Sequence, residues 1–106
     1  MSVVDPIILD RASRVVQMLR GRLRVADAYL FGSIVEGRAD EWSDIDLAVF
    51  VDRQEAAGIK IRAELSAWAQ KEAGDDIELH FFPSDQLTTR DPASFAEYVV
   101  TNGEKL

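Results

Sequence analysis

The sequence predicts an α+β fold: a small three- to four-stranded mixed sheet with helices packed mainly on one face. Two observations carry this expectation. Apolar residues recur at helical spacing in three segments, and they run or alternate at strand spacing in three others. Their order is helix, strand, strand, helix, strand, helix, and strands of this kind bury an apolar face under helices. At 106 residues the chain is read as one domain, residues 1–106, long enough for a single core. Hydrophobic residues are 47% of the chain and charged residues 29%, which excludes a disordered polypeptide.

Asp5 and Pro6 suit the N-cap and first position of the first helix. Ile8, Ala12, Val15, Val16, Leu19 and Leu23 follow at helical spacing with arginines between them, and Gly21 loosens the end. The first strand is expected over about residues 26–32, ending at Phe31 and Gly32. A polar loop over about residues 33–43 leads to a second strand over about 44–51. That strand should be antiparallel to the first, because the connection is too short for a crossover. From about Gln54 to Ala73, Ile61, Leu65, Trp68 and Ala69 mark one face of a second helix, which Gly74 stops. Ile77, Leu79 and Phe81 then alternate with Glu78, His80 and Phe82 in a third strand ended by Pro83. Asp91 and Pro92 are expected to cap a last helix carrying Phe95, Tyr98 and Val99, with Asn102 and Gly103 as its terminator.

Composition narrows the function classes. No apolar run approaches the length of a membrane span, the N-terminus lacks a secretory pattern, and there are no cysteines. A cytoplasmic setting without a membrane partner is the resulting expectation. The net charge of −7 argues against gripping a long nucleic acid, which needs a basic excess. Arg11, Arg14, Arg20, Arg22 and Arg24 form a local basic cluster, read either as a solvated helix face or as a docking surface for an acidic partner.

The chemistry concentrates between Tyr29 and Phe50. An apolar run delivers a tight Gly32-Ser33 turn; ten residues lie between it and Asp44-Ile45-Asp46 at the head of the second strand. Side chains alternate along a strand, so Asp44 and Asp46 project together while Ile45 and Leu47 pack behind them. Converging carboxylates suit a hard cation such as Mg2+. The Gly-Ser turn supplies backbone N–H groups and a hydroxyl, which is what a phosphate needs. A divalent ion beside a phosphate cradle equips a site for phosphoryl or nucleotidyl transfer. Arg38 in the loop is a further candidate phosphate contact, because guanidinium pairs well with phosphate oxygens. Trp42 is expected to anchor the loop or stack on a base, Ser43 to order the turn into the strand, and Asp40 and Glu41 to face solvent.

Gly32-Ser33, ten residues, then Asp44-x-Asp46 resembles the signature of the DNA polymerase beta-like nucleotidyltransferase superfamily, over nearly the full length of the chain. In its short form the chain is similar to the minimal nucleotidyltransferases, many of which are antitoxins paired with small all-helical toxins. The resemblance implies a polymerase beta-like palm core, ATP as donor, and Mg2+, as two ions, held by Asp44, Asp46 and a third acid that also acts as general base. Glu78, flanked by Ile77 and Leu79, best matches the pattern for that third acid. Asp76 on the same strand face is the alternative, since the family residue is Asp and Glu is one methylene longer. His80, the single histidine, shares that face and reads as a partly exposed packing residue or as part of the site. Gly32 and Ser33, with Arg38, would hold the nucleotide phosphates. With no second lobe for an acceptor, the resemblance points to a HEPN-type toxin as partner, AMP being placed on one of its hydroxyls. Two alternatives stay open: an antitoxin acting by occlusion, and the catalytic subunit of a small-molecule nucleotidyltransferase. A homodimer is compatible with so small a core.

Overall fold

The computed structural model describes residues 4–38, 40, 43–52, 58–88 and 91–106. Trp42, Glu41 and the expected start of the second helix, Gln54 to Ala57, lie outside the described residues. The first helix, α1, spans Pro6–Arg20, with the Asp5 carboxylate accepting a hydrogen bond from the Ile7 amide at 2.8 Å and Pro6 in the first turn. Ala12, Val15, Val16 and Leu19 are its buried stripe. Strand β1, Val25–Phe31, leads through a one-turn helix, α2, Ser33–Glu36, and a loop into β2, Ile45–Val51. Helix α3, Ile59–Ala73, crosses back to β3, Ile77–Pro83. A 3-10 turn at Ser84–Leu87, helix α4 at Phe95–Asn102 and a two-residue strand β4, Glu104–Lys105, complete the chain.

The sheet order is β3-β2-β1-β4. β1 and β2 are antiparallel, as their short connection requires, and β3 runs parallel to β2 because α3 supplies the crossover. The mixed α+β architecture is therefore the one the element order implies. One core lies between the sheet and the two long helices: Val15 and Leu19 of α1 and Leu65 and Ala69 of α3 pack on Leu30, Leu47, Val49 and Ile77. The opposite face carries a second, aromatic cluster, in which Tyr29, Phe31, Ala48 and Phe50 meet Ala96 and Val99 of α4. So the long helices share one face and the short C-terminal helix takes the other.

One local expectation is corrected. Asp91 does not cap α4; its carboxylate accepts from the Ala93 amide at 2.9 Å, forming a turn of its own. Ser94 is the N-cap, accepting from the Glu97 amide at 3.1 Å in a Ser-x-x-Glu arrangement. Arg14, Arg20, Arg22 and Arg24 are exposed, as a solvated face would be, and Arg11 is partly buried. Arg11 donates to the Ala73 carbonyl from Nε and Nη2 (3.0 and 2.7 Å) and pairs with Asp76, tying α1 to the turn before β3. Arg20 donates to the Val25 carbonyl at 3.1 Å, and Arg22 lies 4.5 Å over the Trp68 ring.

Gly103 permits the return of the chain to the sheet. A Cβ there would lie 2.5 Å from the Val99 carbonyl oxygen and 2.9 Å from that of Leu30. Without a side chain, β4 can pair Glu104 with Leu30 and Lys105 with Tyr29. Among the described residues no helix is long and apolar enough to cross a membrane. Leu19 has no solvent exposure, so Leu19→Ala is expected to lower the unfolding free energy in denaturant titration by about 3 kcal/mol. A loss below about 1 kcal/mol would contradict the packing of α1 on the sheet.

Candidate functional site

β1 ends where the site begins. Gly32 follows Phe31 with φ 86° and ψ −155°, a backbone conformation that side chains disfavour. A Cβ at this position would also lie 2.8 Å from Oδ2 of Asp46. The glycine therefore serves the turn and leaves the space in which an acidic side chain from the next strand sits. Ser33 opens α2, a turn whose first N–H groups have no acceptor within the helix.

Strand register then brings the acids together. Phe31 is paired with Asp46, and Asp46 with Glu78, in one row across β1, β2 and β3. Side chains of this row share the face opposite the long helices. His80, two residues beyond Glu78, lies on the same face opposite Ala48, whose methyl leaves room for the ring. His80 Nε2 is 3.2 Å from Asp46 Oδ1 and 3.7 Å from Glu78 Oε1. One donor atom from each of Asp46, Glu78 and His80 falls within 4.8 Å of the others. The Phe31 ring meets the imidazole edge-on at 5.2 Å and walls the cluster.

Burial pushes the Glu78 carboxyl above its usual range. His80 opposes the shift, whereas the charges of Asp46 and Asp44 and a hydrogen bond with Asp46 reinforce it. Half of the Glu78 side chain is exposed (52%), so solvent screens these effects. Two carboxylates beside an imidazole are a donor set that fits a divalent cation.

The structure thus places Asp46 and Glu78 side by side and adds His80. Asp76, the alternative third acid, is instead engaged by Arg11 on the far side of the α3–β3 turn. Asp44 sits one residue before β2, exposed; its charge reaches Glu78, but it does not join the group of three. Arg38 is paired with Glu36 and is 69% exposed. Ser43 orders the turn into β2 as expected, its hydroxyl accepting from the Asp40 amide at 3.0 Å. The β3 alternation carried the signal for His80, while its contact with Asp46 depends on how β3 pairs with β2.

α4 braces the loop. The Tyr98 hydroxyl donates to Glu36 Oε1 at 2.6 Å, joining α4 to the end of α2. Phe95 stacks against Tyr98 and meets Phe31 and Phe82 at 5.4 and 5.6 Å, so its ring stands beside the cluster with 48% exposed. Hydrogen bonding from Tyr98, and then from Arg38, holds the Glu36 carboxyl below its usual range. A depressed acid stabilises the fold above its unfolded pKa, near 4.5, and loses that contribution as pH falls through the folded value. The stability gap between the parent and Tyr98→Phe is therefore expected to be full above pH 4.5 and to shrink below it, read by denaturation at a series of pH values. A gap that does not vary with pH would show that the hydroxyl is not bonded to a carboxylate.

A family model described as a nucleotidyltransferase domain matches residues 10–101, a span containing every residue of the cluster, the Gly-Ser turn and the Arg38 loop. No curated protein matches the chain.

Proposed function

The chain belongs to the nucleotidyltransferase domain family, and from that premise we propose that it transfers a nucleoside monophosphate, AMP from ATP, to a hydroxyl of a partner protein. The observation that carries this reading is the Phe31–Asp46–Glu78 row. It sets two carboxylates beside a glycine turn without enclosing them. In this reading Asp46 and Glu78, with Asp44 from the head of β2, hold Mg2+. The bound cation would neutralise triphosphate charge and polarise the reacting phosphorus.

The chain's own residues supply the remaining steps. The Gly32 and Ser33 amides and the Ser33 hydroxyl bind the β- and γ-phosphates, and Arg38 exchanges Glu36 for a phosphate oxygen. Glu78 takes the proton of the acceptor hydroxyl, which its half-exposed carboxylate is open to meet. The acceptor oxygen forms its bond to the α-phosphorus as the bond from that phosphorus to the β-phosphate bridging oxygen breaks, and pyrophosphate leaves. Because Glu78 stands on the outermost strand of the sheet and is half exposed, a hydroxyl presented by another polypeptide can reach it. The partner proposed is an all-helical HEPN-type toxin, which the modification would silence.

Thermal denaturation with each nucleoside triphosphate, with and without Mg2+, tests the nucleotide half. At a hundred times its dissociation constant, a ligand of the folded state adds about 2.7 kcal/mol, a shift expected with ATP and Mg2+ for the parent. Asp46→Asn should abolish that shift and lower transfer to the coexpressed toxin, followed by mass increase, by at least about 100-fold. Transfer by Asp46→Asn at the parental rate would overturn the mechanism. An unmodified toxin beside a nucleotide-binding parent would overturn the proposed acceptor.

A further inference from the structure

We propose that His80 is a nitrogen ligand of the cation held by Asp46 and Glu78, and that it shifts the site's preference from Mg2+ toward Mn2+ and Co2+. The inference rests on the cation-site reading of this cluster and deepens it. In an octahedral shell with bonds of about 2.1 Å, adjacent donor atoms are about 3.0 Å apart. His80 Nε2 stands 3.2 Å from Asp46 Oδ1 and 3.7 Å from Glu78 Oε1, two spacings that approach those of one face of such a shell, and one donor atom from each residue lies within 4.8 Å of the others.

Three features hold the imidazole there. The Phe31 ring packs edge-on against it at 5.2 Å. Ala48, its neighbour across the strand pair, leaves the space beneath it. The missing Cβ of Gly32 accommodates Asp46 Oδ2, while the other oxygen, Oδ1, is the one that meets His80. A hydrogen bond that served only as a brace would need one carboxylate; this nitrogen faces two. Mg2+ favours oxygen ligands and sheds water reluctantly, whereas imidazole is a borderline donor that strengthens binding of first-row transition ions.

The test exploits a property of the sequence: the chain has one histidine. Untagged parent protein loaded with Mn2+ alone, without nucleotide, is examined by pulsed electron paramagnetic resonance. Nitrogen coupling of imidazole type is expected and can arise only from His80, and no such coupling would overturn the proposal. Binding of Mg2+ and Co2+ is then compared by titration for the parent, His80→Asn and His80→Asp. The Co2+ to Mg2+ affinity ratio should fall at least about tenfold in both variants, as loss of a metal-orienting partner already costs that much. His80→Asp, which restores a hard oxygen ligand, should keep Mg2+ binding and so reports on folding as well. Variants that retain the parental ratio, or a parent that binds neither ion, would also overturn it. No readout involves nucleotide transfer, so failure of the proposed acceptor chemistry leaves the result interpretable.

Discussion

The pairing of β2 with both neighbours is the constraint on which the rest of the structure depends. Phe31, Asp46 and Glu78 are in register across three strands. Because side chains alternate, a slip of one residue in β2 would turn Asp46 into the core and Leu47 out of it. The apolar residues Ile45, Leu47, Val49 and Val51, all buried under α1 and α3, make that slip prohibitively costly. Burial on one face thus fixes the position of acids on the other. The core and the site are two readings of one strand.

The same register creates an electrostatic conflict. Glu78 is brought against Asp46 and within the field of Asp44 in a chain that already carries a net charge of −7. A raised carboxyl pKa means that the folded protein binds more protons than the unfolded chain between the two values, so ionising Glu78 works against folding as pH rises through that window. Elsewhere two acids have basic partners: Asp76 is paired with Arg11, and Glu36 with Arg38, while the Tyr98 hydroxyl also donates to Glu36. Among the described residues, the basic partner at the cluster is a histidine. The chain belongs to the nucleotidyltransferase domain family, and a bound cation would relieve this charge.

Much of this was legible in the sequence because periodicity and punctuation are local. Helical spacing located α1, and the Gly32-Ser33 turn followed by Asp44-x-Asp46 pointed to the end of β1 and the head of β2, where Asp46 lies beside Glu78 and His80. Sequence left Glu78 and Asp76 as alternatives, since both share a strand face; the distinction depends on Arg11, 65 residues away, reaching Asp76. β4 has two residues, too few for any period, and exists because Gly103 lets the backbone approach Leu30. The cap of α4 was misassigned to Asp91 because Asp-Pro and Ser-x-x-Glu are both good start signals, and only the second coincides with the helix. His80 was visible as a face-sharing neighbour of Glu78, but its approach to Asp46 depends on the β2–β3 register, which sets His80 opposite Ala48.

Comparing the parent with Glu78→Gln by denaturant titration, in chelator and again in saturating divalent cation, addresses the central claim directly. If register concentrates charge for a cation, the variant should equal or exceed the parent in chelator, and the parent should become the more stable protein once the cation is added. A variant destabilised equally in both conditions would mean that Glu78 supports the fold and that the cluster is not a cation site.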